Sequence, residues 1–245
     1  MIETSIPNVD RSLSERRFYT GMAIAIFLSV LVGFGRSFFP RPLFPGHPSP
    51  SEPLFYVHGM IFTLWILTFV TQVSLVAWGR VDLHRKIGPF GGVLVFAMVV
   101  LGIMGALTAA TRQTGFTNIP APPLQFLAVP LFDMILFPAF IAMAFLRRHD
   151  SQSHKRWMLL ATLNLITAAI ARWPIVETLG PLVYFGITDL FLVALAIWDF
   201  RSRGRLHRVT VVGGLLLIIS QPLRLIVSGT AGWLVFAKWA TGLIS

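Results

Sequence analysis

The sequence predicts an all-α, polytopic membrane bundle with seven transmembrane helices, built as three related helical hairpins plus one added helix. Three observations predict it: scarce charge, apolar runs of membrane-spanning length, and basic residues gathered between alternate runs. Of the 245 residues, 55% are hydrophobic and 12% are charged, whereas a soluble domain carries about 25% charged residues. So little charge cannot cover a water-facing surface. The apolar residues instead form seven stretches, at 18–35, 54–78, 87–110, 125–146, 156–174, 181–199 and 208–227. Each is long enough to cross ~30 Å of hydrocarbon. The chain reads as one transmembrane domain over 1–245.

The first stretch follows a polar N-terminal segment, residues 1–17, that carries Arg11, Arg16 and Arg17. The Gly35-Arg36-Ser37-Phe38 sequence after it offers no A-x-A-like cleavage site, so the run is expected to be a retained span. Residues 36–53 then hold six prolines between Pro40 and Pro53 and predict an extended, Pro-rich outer loop. Span 2 contains His58 and Gln72. The turn after it carries Arg80, Arg85 and Lys86, and the turn after span 4 carries Arg147, Arg148, Lys155 and Arg156. The turn after span 6 carries Arg201, Arg203, Arg205 and Arg208. With the three N-terminal arginines, these make up fourteen of the twenty basic residues. The positive-inside rule therefore expects a cytoplasmic N-terminus and an outside C-terminus in a bacterial inner, or plasma, membrane. A second neutral, Pro-rich loop is expected at 111–124. After span 7, residues 231–243 are too short to span. Trp233, Phe236, Lys238 and Trp239 mark that stretch as an interfacial helix.

A net charge of +10 would suggest nucleic acid in a soluble chain. Placed in short turns, it instead expects a bilayer with anionic lipid headgroups, and no nucleic acid. Without a cysteine, disulfides, thiolate metal sites and Cys nucleophiles are excluded. The chain also lacks H-E-x-x-H, G-x-S-x-G and P-loop motifs, and no lysine sits mid-span for a retinal Schiff base.

A weak repeat links the hairpins: His84, His154 and His207 each precede a base and open the next span. Arg172 lies 18 residues after His154, and Arg224 lies 17 after His207. At 1.5 Å per residue both reach ~25–27 Å from the cytoplasmic edge. His58, Asp133, Arg172, Asp189, Gln221 and Arg224 thus fall in the outer half of the spans. Ionisable groups there are costly and are candidate functional groups by default. Two readings follow. In one, Asp133 and Asp189 pair with Arg172 and Arg224 simply to lock the bundle; in the other, the six residues line an outward-facing ligand site. The cytoplasmic set His84, His154 and His207, with His149 nearby, reads either as helix caps and anchors or as ligands of a transition metal or haem. Asn164 and Gln72 read as interhelical hydrogen-bonding groups, and Gly91-Gly92 and Gly213-Gly214 as close-packing sites.

The stretch Tyr56-Val57-His58-Gly59 through His84-Arg85-Lys86-Ile87-Gly88, with the later His154-Lys155-Arg156-Trp157-Met158-Leu159, resembles uncharacterised bacterial multi-pass membrane proteins that carry His-Arg-x-x-Gly after a span. The likeness covers spans 2 to 5. It implies a role in haem or respiratory-enzyme biogenesis and assigns no residue a function.

Two functional expectations of different class result. One is an accessory or ligand-binding protein associated with a membrane complex, respiratory or otherwise redox, with other membrane subunits as partners. The other is a membrane oxidoreductase holding haem, a metal or a quinone. The repeat also admits a small-molecule transporter, although the chain is short for one. Whether it is an enzyme is left open by the sequence.

Overall fold

The computed structural model describes residues 7–38, 52–113, 115–116 and 121–244. The centre of the expected 36–53 loop and part of the 111–124 loop lie outside the described residues. Among those described there are ten helices and no strand. They are α1 (Pro7–Phe34), α2 (Pro53–Ala77), α3 (Val81–Thr111), α4 (Pro123–Phe126), α5 (Ala128–Leu146), α6 (Ser151–Ile170), α7 (Val176–Leu179), α8 (Pro181–Arg203), α9 (Arg208–Ser228) and α10 (Ala231–Gly242).

Local chemistry sets several of these ends. Pro53 and Pro181 open α2 and α8, where a missing N–H goes unused. Asp150 caps α6 by accepting from the backbone N–H groups of Gln152 and Ser153, and Thr230 caps α10 through Trp233 N–H. Gly204, with φ 70°, closes α8 in the left-handed conformation that glycine adopts without steric cost.

Six helical stretches are long and apolar enough to cross a membrane: Ser12–Phe34, Pro53–Ala77, Val81–Thr111, Pro123–Leu146, Pro181–Arg203 and Arg208–Ser228. The expected fifth span is a helix too, but α6 is not among these six. Its 20 residues cover about 30 Å, and Lys155, Arg156, Asn164 and the two threonines Thr162 and Thr167 dilute its apolar character. The position of α6 explains why this is tolerated. It packs against α1, α5, α8 and α9, and Arg156, Thr162 and Asn164 are all buried. A helix sheathed by protein need not be apolar toward lipid. It ends at Ile170, four residues before the sequence pattern suggested, and Arg172 therefore sits in the turn beyond it. The helix at α10 coincides with the expected 231–243 segment.

The glycine pairs behave differently. A Cβ on Gly213 would press into Leu160 and stand 2.9 Å from Trp157 Cζ3, and one on Gly214 would stand 2.9 Å from Leu192 Cδ1. Gly213 and Gly214 thus seat α9 on α6 and α8. A Cβ on Gly91 would only graze Trp65 at 4.0 Å, and one on Gly92 would meet nothing within 4 Å. The close-packing expectation holds for the second pair and not for the first.

At the end that carries the basic turns, Asp199 joins α6, α8 and α9. It accepts from Arg156 Nε at 3.0 Å, from Arg156 Nη2, from Thr210 Oγ1 at 2.5 Å and from His207 N–H at 3.1 Å. Arg156 and Asp199 are 1% and 0% exposed. Such complete satisfaction is what lets a buried ion pair persist.

Candidate cavity opposite the basic turns

At the opposite end, the C-terminal halves of α1, α3 and α6 and the N-terminal halves of α2 and α5 surround a cavity of about 720 Å³. Phe34, Phe55, Phe62 and Trp65 supply much of its apolar wall. Small residues make the room. A Cβ on Gly105 would lie 3.6 Å from His58 Nδ1 and 3.7 Å from Phe55 Cε1, so larger side chains there would enter the space.

Polar groups converge on this space. His58 stacks on Phe62 with centroids 4.0 Å apart, and its Nδ1 lies 3.4 Å from the Leu101 carbonyl. Arg112 donates to Glu52 at 2.8 Å and lies 3.9 Å over the Phe55 ring. Arg36 is 3.9 Å from Glu177. Arg172 donates to the Ala168 carbonyl at 2.5 Å, and its guanidinium lies 5.0 Å from the Phe34 ring centroid. Asp133 also lines the wall. The indole Nε1 of Trp65 and Nη2 of Arg112 are buried with no hydrogen-bond partner among the described residues.

The six residues singled out at this depth do not form one cluster. Asp133 accepts from Arg224 Nη1 at 2.7 Å, and Arg224 is held further by Ser220, through its carbonyl at 3.2 Å and its hydroxyl at 3.0 Å. Asn164 Nδ2 donates to the Asp133 carbonyl at 3.3 Å, the interhelical role expected of it. Asp189 accepts from Gln221 at 2.8 Å rather than from an arginine. Gln221 and Arg224 line a small crevice with Asp189, which adjoins the large cavity at Thr167. His58, Asp133 and Arg172 line the cavity itself. The expected two ion pairs therefore reduce to one, Asp133–Arg224. The repeat misled because α6 stops before Arg172 whereas α9 continues past Arg224. The two arginines share spacing from a histidine but not a helical setting.

The histidines of the basic turns also part company. His84 and His154 meet edge to face with centroids 6.3 Å apart, and His154 Nδ1 lies 2.8 Å from the Ala144 carbonyl. His207 caps α9: its Nδ1 accepts from Val209 N–H at 3.1 Å. Burial, reinforced by the charges of Arg156 and Arg203, lowers the His207 pKa. That keeps the ring neutral, as an acceptor at a helix N-terminus must be. The neighbouring Asp150 carboxyl is also lowered, chiefly by the hydrogen bond from Ser153. Among the described residues no three His, Asp or Glu side chains are arranged to hold a metal ion, so the set His84, His154, His207 does not come together as a three-ligand centre.

Sequence reasoning passed over Arg36, Glu52, Arg112 and Glu177 at the cavity, and the Arg156–Asp199 pair at the other end. All lie at span edges, where a charge is inexpensive and draws no notice. The signal available was balance: Glu52, Glu177 and Asp199 each stand within reach of an arginine from a distant part of the chain. Comparison with family models, with curated proteins and with solved structures gives no match to this chain.

Proposed function

We propose that this chain is an integral membrane ligand-binding protein that acts as an accessory component of a larger membrane complex. In this reading α6 is a seventh span, the helices pair as three hairpins with α1 added, the basic turns face the cytoplasm and the cavity faces outward. The observation that carries it is the cavity of about 720 Å³, walled by aromatic rings and edged by His58, Arg112 and Arg172. Small-molecule sites have this character: ~300–1,000 Å³, mostly apolar, with a few fixed polar groups. The absence of a nucleophile–base pair among these residues favours binding over turnover.

The test is native mass spectrometry of the protein purified in mild detergent. An adduct of defined mass is expected on the wild type and not on Gly105→Leu, whose side chain would fill the space. A wild-type protein that carries no adduct and takes up no amphiphile would overturn the reading.

One observation favours the redox alternative. His154 directs Nδ1 to a backbone carbonyl, the kind of contact that orients ligating histidines, and its ring meets that of His84 edge to face. Haem held by that pair would give a Soret band that disappears in both His84→Ala and His154→Ala. A featureless visible spectrum and no metal by elemental analysis would eliminate it.

A further inference from the structure

The acids at the cavity end of the molecule are already engaged. Glu52 holds Arg112, Glu177 faces Arg36, Asp133 holds Arg224 and Asp189 accepts from Gln221. The chain has ten acidic residues, and the other six belong to the N-terminal segment or to the basic end. Segments 39–51 and 117–120 contain no Asp or Glu. Arg172 therefore has no carboxylate of its own among the described residues. Among the described residues its partners are a carbonyl oxygen and an aromatic face. It is not beyond the spans in open water, since it forms part of the cavity wall. The unpaired polar atoms at the same wall, Trp65 Nε1 and Arg112 Nη2, are both donors. One uncompensated positive charge and two idle donors border an apolar space. That is the complement of a molecule with one negative, acceptor-rich end and a long apolar body.

We propose that the cavity takes a single-chain amphiphile with a monoanionic head, and that Arg172 anchors the head. This rests on the ligand-binding reading above and names its substrate class. A guanidinium offers parallel N–H donors that match a carboxylate or a phosphodiester, and the charge count admits one negative charge, not two. The apolar chain lies against Phe34, Phe62 and Trp65. A cation facing an apolar space without a counter-ion is costly, and a ligand that brings the anion removes that cost.

The experiment measures binding of palmitate, of palmityl alcohol and of lysophosphatidylglycerol to the full-length protein in neutral-lipid nanodiscs. Wild type is expected to bind palmitate at least about tenfold more tightly than the alcohol, the scale of a hydrogen bond to a charged group. Arg172→Gln should bring palmitate down to the level of the alcohol and leave the alcohol unchanged. Arg172→Lys, which keeps the charge, should retain part of the preference, and it stands in if the glutamine variant does not fold. Lysophosphatidylglycerol that binds more tightly than palmitate, with the advantage lost in Arg172→Gln, keeps the anchor and assigns a phosphodiester as the source of the anion. Equal binding of palmitate and alcohol to wild type overturns this inference while leaving the cavity reading intact. Preference for palmitate that survives in Arg172→Gln also overturns it. If none of the three binds wild type, the cavity reading fails as well.

Discussion

Asp133 and Arg224 stand 91 positions apart in the chain yet form the buried ion pair of the cavity end. Arg224 is 2% exposed, so removing its partner leaves a charge in a site that water cannot reach. Asp133→Asn and Arg224→Gln should each destabilise the protein by about 3–5 kcal/mol. The double variant should lose less than the two together, because no unpaired charge remains. Unfolding in detergent checks both, and strict additivity would disprove the coupling. A second single-residue effect concerns pH. The folded-state pKa of His207 lies below its ordinary value, so the unfolded chain binds the proton first. The stability that the neutral cap contributes is whole above pH ~6.5 and declines as pH falls through the unfolded value toward the folded one. Asp150, also lowered, acts the same way in the more acidic carboxylate range and does not obscure this window. His207→Asn keeps a capping acceptor at all pH values and should flatten the decline between pH 7.5 and 5.5 by about 1 kcal/mol relative to wild type. An unchanged pH profile would remove His207 from the account. Such partners were only half legible in the sequence. That Asp133 required a cation was clear from the cost of a mid-span charge; which arginine answered it depended on where α6 ended.

Helices were the most legible level, because hydrocarbon thickness fixes the length of an apolar run. The stretches expected at 54–78, 181–199 and 208–227 are contained in, or nearly coincide with, α2, α8 and α9. Ends were less legible where helix continues outside the apolar run: α1 begins at Pro7 and α3 at Val81, since an amphiphilic turn extends a helix without changing hydropathy. Packing faces were least legible. Gly91-Gly92 and Gly213-Gly214 look alike in sequence, and only the second pair meets a neighbour closely. Gly213→Ala and Gly214→Ala should therefore cost about 1–3 kcal/mol each by overpacking. Gly92→Ala should be neutral or stabilising by up to ~1 kcal/mol through helix propensity. Thermal unfolding of the three variants in detergent checks the contrast, and equal effects would refute it.

On the scale of the molecule, the polar groups divide by end. The basic turns, the Arg156–Asp199 network and the His84–His154 pair occupy one end, and the aromatic cavity with Arg36, Arg112 and Arg172 occupies the other. The charge bias that predicts orientation is visible in the sequence, whereas the cavity is not. It arises from five helices separated widely in the chain, and its small residues look like ordinary span composition. Orientation has a direct check in intact cells. Cysteines at Asp82 and Ser202 should be protected from an impermeant thiol reagent, and one at Ser49 should react. The reverse pattern would invert the proposed topology.

The polarity of α6 also has a temporal consequence. Arg156 is synthesised 43 residues before Asp199, and Asp133 91 residues before Arg224. At ~5–20 residues per second the ribosome delivers the first partner about 2–9 s late and the second about 5–18 s late. During that interval the nascent chain holds an unneutralised arginine in α6 and an unneutralised aspartate in the helix before it. On the seven-span reading, the pair α5 and α6 would then wait at the insertion machinery as a polar-lined hairpin until α8 and α9 emerge to enclose it.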